Sequence, residues 1–248
     1  MKKPIIHAYF LCYNEANILP HLLKHYLSFC EKVVILDNMS TDNSVEIVNS
    51  FPNTEILEYN SNNELRDDMY LQIKNNVWKN SKNIADYVIV GDTDEFLYHE
   101  DILSFLTMAH NEGVTIFKPE GYHMVADEDL ILNPSDNVLE RVKYGVRANV
   151  LDKMMIFNCN QINEINYTFG CHNANPNGNI KLLSDTSLKM LHYKFMGLKD
   201  HMYKQKVRGE RLSDFNKKLG LGTYYLFTED QQINDYRSYL EKRKKVIS

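Results

Sequence analysis

Tyr87-Val88-Ile89-Val90-Gly91-Asp92-Thr93-Asp94-Glu95-Phe96 joins an apolar run to two carboxylates one residue apart. Four apolar residues closed by a glycine read as a strand buried on both faces, the kind found inside parallel sheets. In extended backbone, residues i and i+2 point the same way, so Asp92 and Asp94 are expected to converge on one hard cation. Ligands of open α/β sheets bind at this carboxyl end of the strands. A divalent ion held there would neutralise a pyrophosphate group. Acidic residues also commonly mark a turn after a strand, so the motif takes its weight from its surroundings.

Working outward, three further apolar runs precede it, at 5–12, 32–36 and 55–59, with helical patterns between them. Ile18, Leu19, Leu22, Leu23 and Tyr26 share one helical face after Glu15, and the stretch from Ser40 to Glu46 supplies N-cap residues for a second helix. Further helices are expected at about 63–80 and 100–111, and a strand at 114–118. This alternation predicts a mostly parallel sheet flanked by helices. After Pro119 the texture becomes rich in Asn, Gly and short apolar pieces, and an irregular, substrate-facing subregion packed on the same sheet is expected to about residue 183. A strand at 188–195 and helices at 199–219 and 229–245 complete a single domain in three parts, 1–118, 119–198 and 199–248.

The composition excludes several classes. With 248 residues, 44% of them hydrophobic and 25% charged, the chain is that of a folded globular protein. Lys+Arg 28 against Asp+Glu 33 gives a net charge of −5, against a grip on nucleic acid through the overall field. Cys12, Cys30, Cys159 and Cys171 form no CxxC pair, so a reducing, cytoplasmic setting is expected, without a disulfide framework or zinc ribbon. Met1–Leu11 is read as a first buried strand and not as a leader. No apolar run is long enough to span a membrane. The basic tail Glu241–Lys245, beside Val246 and Ile247, offers peripheral contact with an inner membrane face, though it suits a solvated helix end equally well.

Leu11-Cys12-Tyr13-Asn14-Glu15-Ala16 ends the first strand, and Val33-Val34-Ile35-Leu36-Asp37-Asn38-Met39-Ser40-Thr41-Asp42-Asn43-Ser44 carries the second into a hydroxyl-rich turn. With the DxD on the fourth strand, this ordered trio resembles the GT-A nucleotide-sugar glycosyltransferases, especially family 2, over residues 5–118. Gly121-Tyr122-His123-Met124-Val125, Asp152-Lys153, Gly170-Cys171-His172 and Leu191-His192-Tyr193-Lys194 extend the resemblance to bacterial capsule- or lipopolysaccharide-associated members. The resemblance implies a GT-A (Rossmann-like) fold and a metal-dependent, inverting hexosyltransferase-like enzyme using Mn²⁺ or Mg²⁺. It also implies a nucleoside-diphosphate sugar donor, UDP-sugar favoured, and a glycan or lipid-linked glycan acceptor.

Carried over by position, Asp37 faces the base and Asn14 and Glu15 line the nucleotide pocket. Asp92 and Thr93 approach ribose and diphosphate, Asp94 is the direct metal ligand, and Arg66 approaches the diphosphate or donor sugar. Alternation puts His192 and Lys194 on one strand face, where an imidazole suits Mn²⁺ as a further ligand beside Asp92 and Asp94. Lys194, Lys206, Arg208 and Arg211 would bring positive charge over the diphosphate when a C-terminal segment closes. For the general base that takes the acceptor's proton, the candidates are Asp127, Glu128 and His172.

Two other readings of the same residues stand. An apolar strand followed by DxD also occurs in haloacid-dehalogenase-type phosphatases, where the first Asp is the nucleophile. A nucleotide- or glycan-binding module without transfer is the other. His21 and His25 have the i,i+4 spacing of a zinc protease but lack its Glu, and Gly220-Leu221-Gly222 lacks the third glycine of a dinucleotide fingerprint. Cys159, Cys171, His172 and His192 match no common zinc spacing.

Overall fold

The computed structural model describes residues 2–248. Its main sheet is built on β1 (Ile6–Cys12), β2 (Lys32–Asp37), β3 (Thr54–Glu58) and β4 (Tyr87–Asp92), which run parallel in the order β3-β2-β1-β4. The remaining strands are β5 (Glu95–Tyr98), β6 (Ile116–Phe117), β7 (Glu120–Val125), β8 (Tyr144–Arg147), β9 (Ile156–Asn158), β10 (Ile162–Glu164), β11 (Asn177–Gly178), β12 (Leu182–Leu183), β13 (Lys189–Phe195) and β14 (Lys244–Lys245). β9 pairs antiparallel with the outer edge of β4, and β6 and β12 extend the sheet beyond it to seven strands. The mostly parallel sheet expected from the sequence is therefore present.

The helices are α1 (Leu19–Tyr26), α2 (Ser44–Asn49), α3 (Asp67–Asn76), α4 (Ile102–Asn111), α5 (Val138–Arg141), α6 (Leu198–Glu210), α7 (Asp214–Lys218) and α8 (Glu229–Lys242). Period-two alternation along β1 explains why both faces are covered. Ala8, Phe10 and Cys12 enter a core with α1 and α4, while Tyr9 and Leu11 enter a second core with Trp78 and Phe157. Ends follow local chemistry: Asp101 accepts from the Ser104 backbone N–H at the start of α4, and Thr228 and Gln231 form a capping box at α8. The single helix expected at 199–219 is two, because the Ser213 side chain caps a new start by accepting from the Asn216 N–H.

The subregion after Pro119 differs from expectation. Rather than staying irregular, it divides: β9 and β12 join the main sheet, β10 and β11 pair with each other, and β7 and β8 enter a second five-stranded sheet in the order β14-β8-β7-β13-β5. Apart from β13, which was expected at 188–195, its strands are too short, or too interrupted by polar residues, to show a clear period. The short strand β5 was not anticipated either. It follows β4 after a two-residue turn and pairs antiparallel with β13, matching Phe96 to Leu191 and Glu95 to His192. The DxD thus sits at the junction of the two sheets. Gly121 on β7 permits another close approach, since a Cβ there would lie 2.3 Å from that of Leu151. The tail is tied down, with Lys244–Lys245 paired to β8 and Ile247 buried, so its apolar end is no free membrane anchor. No helix among the described residues is long and apolar enough to cross a membrane.

Candidate active site

A cavity of about 520 Å³ opens at the carboxyl ends of β1 and β4 and runs towards the second sheet. Asn14, Glu15, Asp92, Thr93, Asp94, His172, His192 and Lys194 all line it. The β1 loop that carries the first two is built by a polar lock: Asn14 takes a positive φ of 54°, and its Oδ1 accepts from the Thr41 N–H at 2.7 Å. Ser44 Oγ accepts from the Glu15 N–H at 3.0 Å. The hydroxyl-rich turn after β2 is thereby what shapes the loop after β1.

The two aspartates do not share a strand face. β4 ends at Asp92, and Asp94 lies in the turn before β5, so the i,i+2 rule for extended chain does not apply to them. Asp92 Oδ1 pairs with Lys74 Nζ at 2.7 Å. Burial pushes the Asp92 carboxyl's pKa up, and Lys74 and Lys153 together outweigh it to leave a net lowering. Asp94 Oδ2 instead faces His192 Nε2 and Arg208 Nη2, each at 3.4 Å. Burial opposes its charge too, but His192 and Arg208 hold it well below the usual carboxylate range.

From α6, Lys204 Nζ reaches Glu15 Oε2 at 2.9 Å and Arg208 bridges Glu15 and Asp94. α6 therefore closes over the site through ion pairs to both strand-end loops. On the floor, the buried Lys153 ammonium pairs with the buried Glu95 carboxylate, whose second oxygen accepts from the Asp92 N–H at 3.2 Å. Glu95 thus fixes the turn that presents Asp94. His123 stands behind His192, with the two Nδ1 atoms 3.1 Å apart. Burial, aided by the neighbouring His192 and lysines, lowers the His123 pKa to about 2 and so keeps the ring neutral.

Among the described residues, no three His, Cys, Asp or Glu side chains form a ready-made metal cage. Asp94 and His192 supply two donors facing one cavity. That set fits an ion that brings its other ligands from a bound diphosphate, the usual habit of Mg²⁺ at phosphate sites. Asp92 lines the same cavity, with its Oδ1 paired to Lys74.

Five expected site residues do not line the cavity. Asp127 pairs with Arg243 Nη2 at 2.6 Å and Glu128 with Arg237 Nε at 2.8 Å, both on the outer surface where α8 meets β7. Neither is placed to take a proton from a substrate in the cavity, which corrects the expectation for both. Arg66 is tied to Asp68 at 2.6 Å at the start of α3. Asp37 is buried beneath the β2 turn, its Oδ2 accepting from the Ser40 N–H at 2.9 Å, while its Oδ1 has no partner. Lys206 is exposed and pairs with Glu210. All four cysteines are buried and free.

The sequence reading did not single out Lys74, Glu95, Lys153, Lys204 or His123 as site residues. Lys74 left one trace: with Tyr70, Ile73 and Val77 it holds the inward phase of α3, where a lysine needs a buried partner.

These features define an α/β protein with a charged ligand cavity at the carboxyl ends of its parallel strands. No family model and no curated protein matches the chain. Among solved structures it is similar to S. aureus TarS 1–349, at TM-score 0.46 and 15% identity, over 84% of this chain and 65% of that one. It is also similar to GalNAc-T7 with UDP, GalNAc and Mn²⁺, at TM-score 0.48 and 10% identity, over 79% and 45%. Glucosyl-3-phosphoglycerate synthase from Mycobacterium tuberculosis, in complex with Mn²⁺, UDP and glucosyl-3-phosphoglycerate, gives TM-score 0.34 and 13% identity over 48% and 44%. The chain spans less than two thirds of each, and with every TM-score below 0.5 the likeness is partial.

Proposed function

We propose that the protein is a GT-A-type glycosyltransferase of the family 2 kind. It moves a sugar from a nucleoside-diphosphate sugar, UDP-sugar favoured, to a hydroxyl of a glycan or lipid-linked glycan, with inversion. The observation that carries this reading is the charge arrangement of the cavity. Lys74, Lys153, Lys204 and Arg208 each have a carboxylate partner, but Lys194 and Arg211 have none within 4.0 Å among the described residues. A site that keeps Lys194 uncompensated beside an Asp94–His192 pair is suited to a diphosphate and its counter-ion, while Arg211 is left for another part of the donor.

A divalent ion on Asp94 and His192, when bound, would neutralise the leaving diphosphate. The chain's own groups do the rest. Lys204 and Arg208, released from Glu15, can turn to the phosphates, and Lys194 adds charge from β13. Burial lowers the Lys194 pKa, so a phosphate neighbour would restore its full preference for the charged form.

Of the candidate bases, His172 alone lines the cavity. Its Nδ1 is buried without a partner, and burial, with Lys153 nearby, lowers its pKa to about 4. The ring is therefore neutral at physiological pH and able to accept the acceptor hydroxyl's proton. Because protonation removes the base, the His172-dependent part of kcat/KM should fall only as pH drops through about 4 and stay flat up to neutrality. His172→Ala should lower kcat by about 10²-fold or more. An inflection near the unperturbed value of about 6.5, or full activity in the variant, would remove His172 from this role.

The test of the function is thermal unfolding with UDP, GDP, CMP and dTDP, each with and without Mn²⁺, since a ligand of the native state raises the midpoint. One nucleotide stabilising the protein only with metal is the expected result. Stabilisation by phosphorylated small molecules but by no nucleotide would favour phosphatase chemistry at Asp92 instead.

A further inference from the structure

Arg211 closes α6 with its backbone locked to the loop after β3. Its carbonyl accepts from the Leu65 N–H at 2.6 Å, and the next residue bridges to Leu65. The side chain is only 7% exposed, and its Nε donates to the Asn63 carbonyl at 3.2 Å. Its Nη2 is buried with no partner, and no carboxylate lies within 4.0 Å among the described residues. An arginine cannot shed its proton to escape this cost, so a donor left bare in the interior calls for an acceptor from outside.

The surroundings say what kind of acceptor. Tyr13, Tyr59, Tyr70 and Leu65 line the same cavity, while Lys204 and Arg208 of α6 are already engaged by Glu15 and Asp94. A pocket walled by aromatic rings and offering a single free guanidinium donor suits a planar heterocycle with a carbonyl oxygen better than a phosphate, which would draw on several cations. Tyr13 covers the guanidinium, with the ring centroid 3.2 Å from Cζ. Tyr13 itself is half-buried and held by one exposed hydrogen bond, its hydroxyl donating to Asn63 Oδ1 at 2.9 Å. It can therefore swing aside without breaking the core.

We infer that Arg211 is a specificity-determining residue for the donor's nucleoside, its Nη2 donating to a base carbonyl once Tyr13 gives way. The inference rests on the nucleotide-sugar reading above, and it replaces a diphosphate role for Arg211. It is tested by titrating wild type and Arg211→Met with UDP, the other nucleoside diphosphates and inorganic pyrophosphate, all with Mn²⁺, in a calorimeter. Loss of a charged hydrogen bond should weaken UDP by about 10- to 100-fold and flatten the preference among bases, while pyrophosphate affinity changes less than about twofold. Equal losses for UDP and pyrophosphate would assign Arg211 to the phosphates and overturn the inference. So would unchanged UDP binding. If Arg211→Met fails to fold, Arg211→Lys, which keeps the charge but lacks the planar fork, takes the same readout. A wild-type protein that binds pyrophosphate and no nucleotide would bring down the transferase reading as a whole, a result distinct from lost base preference alone.

Discussion

Asp94→Ala is expected to reduce sugar transfer by about 10³-fold or more, the scale of several kcal/mol of lost transition-state stabilisation. The residue is the one carboxylate on which a β13 histidine, an α6 arginine and the cavity converge. Without it, His192 alone would remain to hold a metal, and Mn²⁺-dependent stabilisation by the nucleotide should disappear with the activity. The fold should survive, because Arg208 keeps its pairing with Glu15. The decisive comparison is therefore between initial rates and the nucleotide-induced shift in melting temperature, measured on the same preparation. A variant that transfers sugar at the wild-type rate would remove Asp94 from the chemistry and the metal assignment with it.

Lys153→Met should act on stability before it acts on catalysis. Removing one partner of a buried pair leaves the Glu95 carboxylate uncompensated in the interior, at a cost of about 3–5 kcal/mol. For a chain of this size that corresponds to a melting temperature lower by about 10 °C. Urea unfolding would measure it directly. The double variant Glu95→Leu with Lys153→Met should recover a large part of the loss, because neither charge is then stranded. An unchanged urea midpoint in the single variant would show that water or another group reaches Glu95. Because Glu95 also fixes the turn before Asp94, the double variant should remain poorly active even when stable.

How much of this was legible in the sequence depended on period and range. The parallel half could be read because β1, β2 and β4 are long apolar runs with helical faces between them, and such signals are local. Apart from β13, the second sheet could not, because strands such as Tyr144–Arg147 and Glu95–Tyr98 have four residues and take their pairing from chain far away. The same division holds in the site. Asp94 was marked by the DxD at a strand end and His192 by alternation along β13, and the cavity brings them within 3.4 Å. Asp127 and Glu128 were marked by an acidic cluster alone, and Arg237 and Arg243, more than a hundred residues later, take them to the surface. Lys204 shows the converse: nothing in its neighbourhood marks it, and only the closing of α6 over the β1 loop gives it a partner.

The strand that carries Asp92 is completed late in synthesis. The outer edge of β4 pairs with Ile156–Asn158, and the adjoining β5 pairs with Lys189–Phe195, both well downstream. A chain emerging from the ribosome can assemble β1 to β4 early, but Tyr87, Val88 and Ile89 keep an unpaired, apolar edge until β9 arrives. Non-local pairing of this kind slows folding and leaves sticky intermediates in the interval. The half of the protein that carries Asp92 is thus first to take shape, yet it depends on the later half to become safe from its own neighbours.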